Sequence, residues 1–252
     1  MWTLLGVLRL AFAGPVIVLV TVFILITSPL PVRIRDVRLS AWFATLAARL
    51  AMLIFNVRFR CLNPQLLAQH HGFIFANHIT YFDILMMLHT LPVRFLSAAE
   101  TRRMLFFGPV AEAIETVFVN RSDKASRAAA RQALLAAPRY PPIVLYPEGG
   151  VGPANSLQTF RYGAFETAME GRIPYLLAAI RYSRGDIIVW GDGEGFMASF
   201  WRLACFPGPI VAELVPLRVV RPEPGDDAKR LAGEAHREIA AAMGVTPQMD
   251  VR

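Results

Sequence analysis

The sequence predicts an α/β fold: a mixed central sheet flanked by helices, preceded by an N-terminal helical hairpin that anchors the chain to a membrane. Three observations lead there. From Val57 onward, short apolar runs alternate with stretches of helical periodicity, the pattern of strands and helices layered on one core. Apolar residues make up 55% of the 252 and charged residues 18%, and the apolar excess concentrates near the N-terminus, where Leu10 to Val32 carries no charge. The net charge of +7 comes without any nucleic-acid-binding signature, which leaves an anionic membrane as the basic chain's partner and excludes nucleic acid.

The N-terminal region covers residues 1–56. A helix rises about 1.5 Å per residue, so Leu10 to Val32 is long enough to cross a hydrocarbon core of roughly 30 Å, with Gly14-Pro15 and Pro29 expected to kink or shorten it. Leu39 to Val57, interrupted only by Arg49 and Asn56, reads as a second helix, lying at the interface or paired with the first. Arg33, Arg35 and Arg38 follow the first segment and only Arg9 precedes it, which by the positive-inside rule puts the rest of the chain on the cytoplasmic side. A cleaved signal peptide is the alternative. The run is long for one, and it lacks a compact basic start and an A-x-A-like end.

Residues 57–252 form the expected catalytic domain. Strands are predicted at 57–61, 72–76, 93–97, 116–120, 143–146, 173–180, 187–190 and 211–220. Helices are predicted at 80–90, 100–107, 124–137, 160–170, 196–206 and 226–243, the last entered through the turn Pro222-Glu223-Pro224-Gly225-Asp226. Cys61 and Cys205 are the only cysteines and have no metal-ligand spacing, so neither a metal site nor a disulfide framework is expected. The chain has no phosphate-binding loop, dinucleotide fingerprint or serine-nucleophile elbow. Asp192 and Glu194, in Gly-Asp-Gly-Glu-Gly, lack a full ligand set and read as a glycine-rich turn. His70, His71, His89 and His236 show no partner pattern.

The chemistry concentrates after the strand-like GFIFA, in Asn77-His78-Ile79-Thr80-Tyr81-Phe82-Asp83. On one regular helix His78 and Asp83 would point about 140° apart. They converge only if His78 lies in the strand-to-helix corner and the helix begins near Thr80, a good N-cap. A carboxylate on one ring nitrogen would then orient the imidazole, leaving the other to take a proton from a substrate hydroxyl. Alternatively, Thr80-x-x-Asp83 is a capping box in which Asp83 serves only the helix N-terminus.

Asn77-His78-x-x-x-x-Asp83 resembles the first motif of the glycerolipid acyltransferase family, which includes the 1-acylglycerol-3-phosphate acyltransferases. Val117-Phe118-Val119-Asn120-Arg121 is similar to the second motif, Tyr146-Pro147-Glu148-Gly149 to the third, and Ile173-Pro174-Tyr175 to the fourth. Phe160-Arg161-Tyr162-Gly163-Ala164-Phe165 matches a basic segment that follows the third. The resemblance runs in order from about Gly72 to Ile180. It implies His78 as base, Asp83 as its orienting partner, and Asn77, Arg121, Glu148, Gly149 and Arg161 as substrate-binding residues. Arg121 would clamp the acceptor phosphate through its planar fork. Glu148 would hold Arg121, bond an acceptor hydroxyl or simply form a turn. Gly149 and Gly150 would offer backbone N–H donors to a ligand or form a tight turn. Arg161, Arg102, Arg103, Lys124, Arg127 and Arg131 would neutralise carrier phosphate or face solvent and an anionic leaflet, which attracts each cation by about 1 kcal/mol.

Two positions depart from the family's pattern: Glu115 stands where the second motif begins with glycine, and Gly150 replaces a hydroxyl residue. Both bear on acceptor identity more than on reaction type. The expected reaction is acyl transfer from acyl-CoA or acyl carrier protein to the free hydroxyl of 1-acylglycerol-3-phosphate, giving phosphatidic acid. No cofactor is expected, because a thioester is already activated. Another lysolipid such as lyso-ornithine lipid is the alternative acceptor. A silent lipid-binding protein would bind without turnover, and a thioester hydrolase would release free fatty acid.

Overall fold

The structure, a computed structural model, describes residues 2–152, 155–189 and 194–245. Its first element, α1 (Trp2–Thr27), starts earlier than the uncharged run and passes through Arg9 and Pro15. Arg9 is accommodated because its guanidinium donates to the carbonyl oxygens of Ala204, at 3.1 Å, and Phe206, at the end of a later helix. The Thr27 hydroxyl bonds back to Phe23 O at 2.6 Å and Pro29 follows, so the helix stops short of Val32. Mean hydropathy of its most apolar window is 2.6 and only 22% of that window is buried, so α1 is not a core helix. The ribbon β1 (Arg33–Ile34) and β2 (Val37–Arg38) turns at Arg35 and Asp36, whose φ of 52° and 64° suit a tight two-residue hairpin. Next, α2 (Leu39–Ile54) packs against α1, with Phe43 stacked on Phe23 at 5.4 Å. Pairing is therefore the arrangement adopted by the second apolar segment.

The strands that follow are β3 (Val57–Cys61), β4 (Phe73–Ala76), β5 (Arg94–Ala98), β6 (Val117–Val119), β7 (Ile143–Leu145), β8 (Tyr175–Tyr182) and β9 (Ile210–Val220). They form one sheet in the order β3-β9-β8-β4-β7-β5-β6, parallel except for the β8–β9 pair, so the expected mixed sheet is present. Helices α3 (Pro64–Ala68), α4 (Phe82–Thr90), α5 (Phe107–Ala113), α6 (Lys124–Ala136), α7 (Gly163–Glu170), α8 (Gly185–Ile188), α9 (Phe196–Cys205) and α10 (Ala228–Met243) complete the described chain.

Strand alternation sorts the side chains between two cores. Phe73, Phe75, Tyr175 and Leu177 join one with α6, α7 and α10; Ile74, Ala76, Leu176 and Ala178 join the other with α4 and α9. The second core continues into the hairpin through Ala13, Ala44, Ala48 and Met52. The hairpin is thus packed onto the sheet domain, not tethered beside it.

Two expectations are corrected. The described part of 187–190, residues 187–189, is not a strand: α8 ends at Ile188, and the carbonyl oxygens of Ile187 and Val189 accept from Arg202, so a side chain does the work of a neighbouring strand. Trp190 and the Asp192 turn lie outside the described residues. Residues 100–107 are not one helix but a 3-10 turn, Ala99–Arg103, followed by a reversal into α5. Gly108 makes the reversal possible, since a Cβ there would lie 2.1 Å from Arg102 O. Short α3 was not anticipated, although Asn63 as N-cap and Pro64 in the first turn marked it.

Candidate active site

Parallel strands in an open sheet end in a crevice at their carboxyl edge, where helices and loops diverge. His78 lies just past β4, Tyr146 just past β7, Arg121 just past β6, and Tyr182 ends β8. The sequence order is thereby folded into one edge. Asn77 fixes its geometry: the buried amide accepts from Ile180 N at 2.7 Å and donates to Ile180 O at 3.0 Å, tying the end of β4 to β8. Those bonds commit the side chain to the backbone.

Asp83 is fully buried and gathers four donors. Its Oδ2 accepts from His78 Nδ1 at 2.8 Å, Ile79 N at 2.6 Å and Thr80 N at 3.0 Å; its Oδ1 accepts from the Tyr182 hydroxyl at 2.7 Å. The helix begins at Phe82 rather than at Thr80, and the Thr80 hydroxyl reaches Phe82 N only at 3.5 Å. Asp83 therefore holds the imidazole and also ties down the backbone N–H groups of the corner that precedes the helix, Ile79 and Thr80, while the N-cap residue itself, Tyr81, contributes no side-chain cap. With Nδ1 donating to Asp83, the Nε2 lone pair is the one left for chemistry. Nε2 has no hydrogen-bond partner among the described residues. The Tyr146 ring stacks on the imidazole at 4.1 Å and 12°, restricting its rotation.

Glu148 braces the same corner from below. Oε1 accepts from His78 N at 2.7 Å and Oε2 from Gln158 N at 3.0 Å, while Gly152 N donates to His78 O at 2.6 Å. Both backbone groups of His78 are thus clamped. A Cβ on Gly152 would approach Glu148 Oε2 to 2.7 Å, so the clamp requires glycine. Burial pushes the Glu148 carboxyl up to about 7, against the two N–H donors and with a smaller upward push from Asp83. The expected contact with Arg121 is not made, because Glu148 faces inward.

Arg121 instead donates to the carbonyl oxygen of Gly149. Desolvation first, and then the neighbouring Arg161 cation, lower its pKa. Gly149 has φ 82°, and a Cβ there would lie 2.8 Å from Arg161 Nε, so the two guanidiniums flank this glycine closely. Its N–H donates to Tyr146 O at 3.0 Å, which removes one of the two expected backbone donors. A Cβ on Gly150 would meet nothing within 4 Å. Of the other cations, Arg127 braces Arg121 O, Arg102 pairs with Glu112, and Arg131 pairs with Glu166 and Glu170.

Sequence reasoning missed Tyr182, Gln158 and the stacking role of Tyr146. Tyr182 is 99 residues from Asp83, beyond any local spacing rule. Tyr146 sat inside a quoted motif, but nothing in its neighbours announced the stack. Burial, and then Asp83, push both phenols well above their ordinary value, so they remain neutral; the Tyr182 hydroxyl donates to Asp83, whereas the buried Tyr146 hydroxyl has no partner among the described residues.

Residues 58–181 match the family model described as Acyltransferase, a stretch containing His78, Asp83, Arg121 and Glu148. The chain carries a domain of the acyltransferase family. Among curated relatives of this chain, lysophosphatidylcholine acyltransferase 1 of Rattus norvegicus is 28% identical over 178 residues, 68% of this chain and 32% of that protein. Lyso-ornithine lipid O-acyltransferase of Pseudomonas aeruginosa is 30% identical over 112 residues, 44% of this chain and 43% of that protein. The match thus spans about a third of the first relative's length and under half of the second's. The crystal structure of the 1-acyl-sn-glycerophosphate (LPA) acyltransferase PlsC from Thermotoga maritima superposes with a TM-score of 0.71 at 18% identity, covering 96% of this chain and 94% of that one. The fold is shared across nearly the whole chain, hairpin included.

Proposed function

We propose that this acyltransferase moves a fatty acyl group from acyl-CoA or acyl carrier protein to the free hydroxyl of a lysophospholipid, with 1-acylglycerol-3-phosphate as acceptor and phosphatidic acid as product. The observation that carries the reading is His78: Nδ1 is fixed by Asp83, and Nε2, at the carboxyl edge of the sheet, has no hydrogen-bond partner among the described residues. Nε2 takes the hydroxyl proton as that oxygen attacks the thioester carbonyl carbon. The tetrahedral intermediate collapses with C–S cleavage, and the departing thiolate recovers the proton from Nε2. Asp83 keeps the tautomer and stabilises the transient imidazolium. Arg121 and Arg161 hold acceptor phosphate. Asn77, Glu148 and Gly149 act by positioning the His78 corner and the arginines. The chemistry calls for no cofactor or metal.

Both acceptor and product reside in the bilayer, so the exposed apolar length of α1 is read as the anchor that keeps the crevice at the membrane, on the cytoplasmic side given by the arginines after it. A second acceptor reading, a lysolipid with another head group such as lyso-ornithine lipid, is favoured by the open space at Gly150 and by the Pseudomonas aeruginosa relative.

The test supplies protein purified in lipid with labelled acyl-CoA or acyl carrier protein and a panel of lysolipids, beside His78→Ala. Transfer to lysophosphatidic acid is expected, reduced roughly 10²–10⁴-fold in the variant. Transfer only to another lysolipid reassigns the acceptor. Near-wild-type turnover by folded His78→Ala removes the histidine from the mechanism. Binding without any transfer makes the chain a silent lipid-binding protein, and release of free fatty acid alone makes it a hydrolase.

A further inference from the structure

Between the 3-10 turn Ala99–Arg103 and α5, the chain exposes four consecutive apolar side chains, Met104, Leu105, Phe106 and Phe107, with Leu105 81% exposed. A run of that kind is unfavourable in water unless something covers it. Its backbone is closed rather than loose: Met104 N donates to Thr101 O at 3.1 Å and Gly108 N to Met104 O at 2.8 Å. An Arg102–Glu112 ion pair joins the two limbs. The tip is therefore a built projection.

Its position says what covers it. From the tip, α5 packs on α1 and ends at Ala113, whose carbonyl accepts from the Ser40 hydroxyl of α2 at 2.8 Å. Two residues on, Glu115 pairs with Arg38 at 2.7 Å and Arg33 at 3.5 Å, beyond the end of α1. Tip and hairpin are thus held as one piece. The other limb borders the strand that leads to Arg121, because the Arg102 guanidinium lies over the Phe118 ring of β6 at 5.6 Å. Arg102 and Arg103, both exposed, supply cations beside the apolar run, the combination that suits anionic head groups above acyl chains.

We propose that Met104–Phe107 inserts into the interfacial layer of the same leaflet that holds α1, a second membrane contact that sets the cationic rim of the crevice at head-group depth. The inference rests on reading α1 as a membrane anchor. To test it, single cysteines replace Leu105 or Phe106, and separately Leu19 in α1, in the full chain lacking Cys61 and Cys205. Each carries a polarity-sensitive fluorophore, and the proteins are reconstituted into phosphatidylethanolamine–phosphatidylglycerol vesicles with or without brominated acyl chains. Blue-shifted emission quenched by bromine is expected at all three positions. Quenching at Leu19 with water-like, unquenched emission at Leu105 and Phe106 would overturn the proposal and leave the tip for a protein partner. Absence of quenching at Leu19 would instead overturn the anchor reading, and the proposal with it. As a functional arm, Leu105→Glu with Phe106→Glu should raise KM about tenfold for a long-chain lysolipid held in vesicles, leaving kcat/KM for a monomeric short-chain lysolipid unchanged. Unchanged KM for the vesicle-held acceptor would also count against insertion.

Discussion

The crevice and the hairpin handle buried and exposed surface in opposite ways. Around His78, a carboxylate with four donors, a second carboxylate with two, and an amide on both backbone groups of Ile180 satisfy one another without solvent. Along α1 and the Met104–Phe107 tip, large apolar side chains such as Trp2, Phe12, Leu19 and Leu105 are left more than half exposed. The first region is built for rigidity in a desolvated pocket, where an unpaired polar group is costly. The second is stable only if its surroundings are themselves apolar. Geometry at the crevice should therefore be sensitive to single hydrogen bonds, whereas the hairpin should be sensitive to added charge.

The largest effect on stability is expected from Asn77→Ala. It strands the N–H and C=O of Ile180 inside the sheet, at about 1–3 kcal/mol for each buried group, so about 2–6 kcal/mol of unfolding free energy should be lost. Denaturant unfolding in lipid measures it, and a loss below about 1 kcal/mol would mean water replaces the amide. Next in size is Glu148→Gln, whose amide nitrogen cannot accept from a backbone N–H; about 1–3 kcal/mol is expected. It carries a pH signature as well. Burial raises the folded carboxyl from 4.5 to about 7, so between those values the folded state holds a proton that the unfolded chain has released. This group's contribution to stability falls as pH rises through that window and is level above it. The variant should lack the slope, and an identical slope in both proteins would assign it to other groups.

How much was visible beforehand follows from the same contrast. Alternation along β4 and β8, the apolar run of α1 and the motif order around His78 are local or periodic signals, and they led to the mixed sheet, the long apolar helix and the His78–Asp83 corner that the structure shows. The misreadings have non-local causes. Residues 187–189 looked like a strand until Arg202 supplied the missing donors, and 100–107 looked like one helix until Gly108 folded it back. For Glu148 the sequence left open holding Arg121, bonding an acceptor hydroxyl or forming a turn, because motifs carry no direction; only the fold turns it toward the His78 backbone. Tyr182 was invisible for want of any local spacing to Asp83.

Tyr182→Phe sharpens the comparison without emptying the pocket. It removes one hydrogen bond from Asp83 and leaves the other three, so Oδ1 is no longer fixed and the carboxylate holds the imidazole less rigidly. A kcat reduction of about tenfold, about 1.4 kcal/mol, is expected with KM unchanged. Unfolding free energy should fall by about 0.5–1.5 kcal/mol at the same time. A purely structural tyrosine would lower stability and leave kcat in place.

The smallest effect is expected where the two regions meet, at Glu115. Its φ of 61° is left-handed, which costs a side chain about 1–2 kcal/mol relative to glycine. Its ion pairs to Arg38 and Arg33 are partly exposed and worth about 0.2–1 kcal/mol each, less at high salt. The strain and the clamp nearly offset each other. Glu115→Gly should therefore leave the unfolding midpoint almost unchanged, while Glu115→Ala, which keeps the strain and loses both pairs, should destabilise by about 0.5–1 kcal/mol. If glycine proves the worse of the two, strain is not what the family glycine avoids at this position. If raising salt narrows the gap between wild type and Glu115→Ala, the clamp is electrostatic, and the register between hairpin and the Arg121 strand is set by charge rather than by packing.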